Sequence, residues 1–224
     1  MNRIILAVAL LLAGGAAYAA EPAAQAPAAA PPAAEAPATQ VQGFRSARWG
    51  MDANEVKAAI RKDFNIAADK IQAEENASER TSVLSITVPN LIDGAGKARV
   101  SYIFGFTTKK LIQANIIWGN PIDPQAKPDE VVAAANQLRD LFVASGYQAN
   151  SIHSNVATKD GTIIVFEGED ADKHATLLTL INGTVPGAVK NGKHEPAVQT
   201  VVLRLSYILD PQNPDIFRLK KGQF

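Results

Sequence analysis

Cysteine is absent from all 224 residues. That excludes disulfides, a thiol nucleophile, a thiolate metal site and the lipidated cysteine of a lipoprotein anchor. Net charge is also absent: Lys plus Arg and Asp plus Glu stand at 22 each. No basic excess therefore points to nucleic acid or to an anionic membrane surface. The basic pairs Arg61-Lys62, Lys109-Lys110 and Lys220-Lys221 are scattered and read as solvated charge. Nor does the chain carry H-E-x-x-H, G-x-S-x-G, a P-loop or G-x-G-x-x-G. Zinc-protease, nucleophile-elbow and nucleotide-cradle chemistry thus have no sequence support. Only three histidines are present, His153, His174 and His194. A Ser-His-Asp triad can be assembled from any such sequence, so its mere possibility has no weight. No cofactor is expected.

What is present begins with an export signal. Residues 1–19 hold Arg3, an apolar run from Ile4 to Ala13, and Ala17-Tyr18-Ala19, an A-x-A cleavage site. The run of about ten residues is too short to span a bilayer, which needs about 20. No later stretch approaches that length. Residues 20–42 are Ala/Pro-rich, and five prolines break any helix the alanines favour. This segment reads as a disordered or polyproline-II spacer, about 70 Å long if extended. The expected address is the periplasm, reached with a cleaved signal and without lipidation.

The folded part is expected over 43–224 as a single α+β domain. "WGMDANEV" raises the question of a functional loop, but each residue has a structural job. Gly50 permits a turn, Asp52 is an N-cap, Glu55 completes a capping box, and Met51 and Val56 form a staple. Val56, Ala59, Ile60 and Phe64 then give one helical stripe. Alternation predicts strands at 81–88, 98–106 and 111–118. A second helix opens at Pro128, with Asp129 and Glu130 in its first turn. Strands follow at 162–167, 175–181 and 198–209. The pattern is helix, three strands, helix, three strands, with pseudo-halves of about 43–120 and 121–224. It implies an antiparallel sheet with both helices on one face. Alternation leaves Ser85, Thr87, Arg99, Ser101, Gln113, Asn115, Thr179, Arg204 and Ser206 on the wetter face, mixed with Ile103 and Val202.

Gly50-Met51-Asp52-Ala53-Asn54-Glu55-Val56 resembles the "Gly-Met-Ser/Thr-x-x-Glu/Gln-Val" opening of repeats in the β-lactamase-inhibitor-protein and BamE-like fold. That resemblance implies an exported bacterial module that binds other proteins, often through its sheet. The chain departs from the pattern at Asp52, in lacking "Leu-Gly-x-Pro", and in opening its second half with "KPDEV". At "FRSARWGM", "YIFGFTTKKLIQANIIWG" and "LSYILDPQNPDIFRL" it also resembles a group of alphaproteobacterial secreted proteins, which brings no function with it.

Three places remain as candidate sites. Arg99, Ser101, Gln113, Asn115, Arg204 and Ser206 are the expected partner-binding residues, for an envelope or periplasmic protein. Glu167, Glu169, Asp170, Asp172 and His174 could ligate calcium or manganese, oxygen ligands with one imidazole suiting those ions. The alternative is a plain polar hairpin turn. The stretch 182–197 is long for a strand connection, and "NG" at 182–183 and 191–192 allows either a binding loop or an extra hairpin. Trp49 and Trp118 read as core residues, with an interface hot spot as the alternative. The reading is a non-enzymatic interaction module of the cell envelope, with a small-ligand or divalent-metal binder as the alternative.

Overall fold

The computed structural model describes residues 38–186, 189–190, 193–194, 196–219 and 222. The expected signal and the spacer up to residue 37 lie outside the described residues. The fold begins before Gly43, because Val41 is only 3% exposed and the Thr39 N–H donates to the Gly146 carbonyl. The last residues assigned to the spacer thus belong to the domain.

A small hairpin, β1 (Gly43–Phe44) and β2 (Ala47–Arg48), leads into helix α1 (Ala53–Phe64). The helix start is built as the sequence predicts. The Asp52 side chain accepts from the Asn54 and Glu55 N–H groups, and Glu55 reaches back to the Asp52 N–H at 2.8 Å. Four strands follow: β3 (Gln72–Asn76), β4 (Thr81–Val88), β5 (Ala98–Phe104) and β6 (Leu111–Gly119). Helix α2 (Pro128–Val143) opens the second half, with Pro128 in its first turn and no side-chain cap from Lys127. Then come β7 (His153–Ala157), β8 (Ile163–Glu169), β9 (Ala175–Val185), the short β10 (Val189–Lys190) and β11 (Lys193–His194), and β12 (Val198–Ile208).

The main sheet has eight antiparallel strands in the order β3-β4-β5-β6-β12-β9-β8-β7. Each half contributes four strands rather than the three expected. The additions, β3 and β7, are the two edges, and every residue of both is exposed. The order reads the same outward from the centre, where β6 meets β12. The halves therefore repeat one topology within one continuous sheet.

Register lines up one face as core. Ile86, Val100, Ile116, Leu205 and Leu178 form a row of paired neighbours, all buried. Both helices cover this face. Phe142 of α2 packs its ring against Phe166 and Tyr207, and Phe64 of α1 reaches Tyr207 through Phe44. Trp118 is core, at 1% exposure, while half-buried Trp49 donates its indole N–H to the Val41 carbonyl at 2.6 Å.

The described residues of the 182–197 stretch are largely strand. β9 and β12 run on as a two-stranded ribbon as far as the Val185–Val198 pair, and β10 and β11 pair beyond it. Ile181, Val185 and Val198 are exposed along it.

Candidate partner-binding face

The face opposite the helices brings all six expected partner residues together. Ser101, Asn115 and Ser206 are direct cross-strand neighbours on β5, β6 and β12. One row along, Arg99 and Arg204 both pair with Ile117. Gln113 lies between Ile103 and Ile208, and its amide N–H donates to Asn115 Oδ1 at 2.8 Å. Adjacent strands stand about 4.8 Å apart, so the Arg99 and Arg204 backbones are about 10 Å apart.

The face is ridged rather than flat. Asn115 is 6% exposed and Ser85, Ser206 and Thr179 are also buried, whereas Thr87 and Arg204 are exposed. Short polar side chains thus lie in a trough beneath longer neighbours. Sequence reading missed several residues here, among them Ile117, Leu177, Ile164 and Ile208. Their signal was present: Ile117 continues the 113–115 parity on β6, and Ile208 continues 204–206 on β12.

The five metal candidates separate. Glu167 and Glu169 fall on the polar face, where Glu167 meets His153 at 3.5 Å and Glu169 meets Lys173 at 3.4 Å. Asp170, Asp172 and His174 do gather, with ligand atoms within 4.8 Å of one another. Yet Asp170, at 1% exposure, is already consumed. Its Oδ1 accepts the Asp172 and His174 N–H groups, both at 2.9 Å. Its Oδ2 accepts the Val41 N–H at 2.7 Å and lies 3.2 Å from His174 Nδ1. Those contacts describe a turn organiser that also anchors the incoming chain, which matches the polar-turn alternative.

A cavity of about 350 Å³ adjoins the face at the far ends of β6 and β12. Leu111, Ile112, Leu209 and Pro214 give it apolar walls, and Gln113 and Ile208 form a boundary shared with the face. Among the described residues, no helix is long and apolar enough to cross a membrane. No family model, no curated protein and no solved structure matches this chain.

Proposed function

We propose that this protein is a non-enzymatic interaction module of the cell envelope, exported to the periplasm, which docks a protein partner on its helix-free sheet face. One observation carries the reading. An eight-stranded sheet has both helices on one side, and its other side presents paired rows of polar, aliphatic and arginine side chains. Mixed composition of this kind, with depleted charge, is typical of protein-binding surfaces. The neighbouring apolar cavity adds a place for an anchoring side chain. The signal at 1–19 supports the compartment.

A photo-reactive residue placed at exposed Thr87 on this face, in cells that produce the protein, tests the reading. The control position is Leu141, 59% exposed on the outer side of α2. Capture of one envelope protein from Thr87, and none from Leu141, is the expected result. Capture from Leu141 alone, or from neither site in folded periplasmic protein, would sink it.

A further inference from the structure

We propose that the segment docked on this face is acidic, with two carboxylates about 10 Å apart, one for Arg99 and one for Arg204. An aliphatic side chain between them would lie over Ile117. The inference rests on the docking reading above and specifies its chemistry. On the central strands β4, β5, β6, β12 and β9 the charged residues of this face are Arg99 and Arg204. Its acids lie outside them, Glu167 and Glu169 on β8 being paired with His153 and Lys173, and Glu74 standing on the edge strand β3. Among the described residues neither makes an ion pair or a side-chain hydrogen bond. Three other arginines of the fold, by contrast, are engaged. Arg45 lies over the Phe64 ring at 4.7 Å, Arg80 over Phe217 at 3.8 Å, and Arg139 pairs with Asp140 at 2.9 Å.

Spacing selects among anions. The two guanidiniums flank Ile117 on separate strands, and the sheet's own N–H groups are used in its ladders. Backbones about 10 Å apart on either side of Ile117 favour two separate anions over one shared phosphate, and a carboxylate takes one guanidinium through two parallel hydrogen bonds. An anionic lipid surface calls for clusters of about four to eight basic residues, and this face has two. The intervening aliphatic surface of Ile117 matches a protein side chain.

The test places p-benzoylphenylalanine at Ile117 of the full chain, in the cells that produce it, and sequences the captured segment. It is repeated in the Arg99→Glu/Arg204→Glu variant, with Arg99→Gln/Arg204→Gln as a second, neutral variant and thermal melts to confirm folding. The expected captured segment has an Asp or Glu on each side of the linked residue. Charge reversal should cut capture about tenfold or more. Replacing the partner's two carboxylates with arginine should restore capture by the doubly reversed variant. A captured segment without acids, capture of lipid, or capture indifferent to reversal overturns the acidic partner while leaving Thr87 capture, and the docking reading, intact. Absence of capture from both Thr87 and Ile117 in folded protein that keeps both arginines removes the docking reading itself.

Discussion

Asp215 shows what a single carboxylate does for the end of this chain. It accepts hydrogen bonds from the Thr107 N–H at 2.9 Å, the Thr108 N–H at 2.8 Å and the Thr108 hydroxyl at 2.7 Å. These tie the last residues to the turn between β5 and β6. Burial pushes the carboxyl's pKa upward, but the donors on Thr108 and Thr107 outweigh it and bring it from 3.8 to about 2. The ionised form is favoured in the folded state, so its contribution is fully present above the ordinary value. It is lost as pH falls through the folded one. Asp215→Asn should therefore melt below the native protein near neutral pH. The gap should close as pH drops from about 4 to about 2. Melting curves of both proteins across that range check it, and a gap independent of pH would contradict it.

At the scale of elements, the seam between β6 and β12 holds the two halves together, and Gly119 ends it. Its φ is +108°, and a Cβ there would lie 2.1 Å from the Val201 carbonyl oxygen. Backbone cannot yield as a flexible side chain would. Gly119→Ala should destabilise the protein by more than about 1 kcal/mol, measured by chemical denaturation. An unchanged midpoint would mean that the seam can open without loss. Both helices and the six inner main-sheet strands were legible, because each has one buried and one wet side. Asp52, Glu55 and Pro128 fixed the helix starts from local chemistry alone. The edges were not legible. "QAEEN" at β3 and "HSNVA" at β7 bury nothing, so they show no alternation, and their pairing is set by β4 and β8. Cluster chemistry misled for the opposite reason. Glu167, Glu169 and Asp170 are close in sequence, yet strand parity keeps Glu167 and Glu169 on the polar face while Asp170, just past the end of β8, is buried in the β8–β9 turn.

At the scale of the molecule, each end of the described chain clasps the half to which it does not belong. The final segment returns to the first half. Asp215 holds the β5–β6 turn, the Phe217 N–H donates to the Glu79 carbonyl at 2.8 Å, and its ring lies under Arg80. The entering segment goes to the second half. The Thr39 N–H reaches the Gly146 carbonyl just past α2, and the Thr39 hydroxyl reaches Ser145. The Val41 N–H reaches Asp170 in the β8–β9 turn at 2.7 Å. None of this could be read from an Ala/Pro-rich stretch, since a turn more than a hundred residues away supplies the partner. It predicts where damage appears when the entrance is removed. A chain starting at Gly43 should be less stable than one starting at Ala38 by about 2 kcal/mol or more, from the lost burial of Val41 and its charge-assisted hydrogen bond. Hydrogen exchange should then quicken most at Asp172, Lys173 and His174, around the vacated Asp170 carboxylate, while the middle of α1 keeps its relative protection. If α1 loosened first instead, the entering segment would be supporting the helix that follows it and not the distant turn.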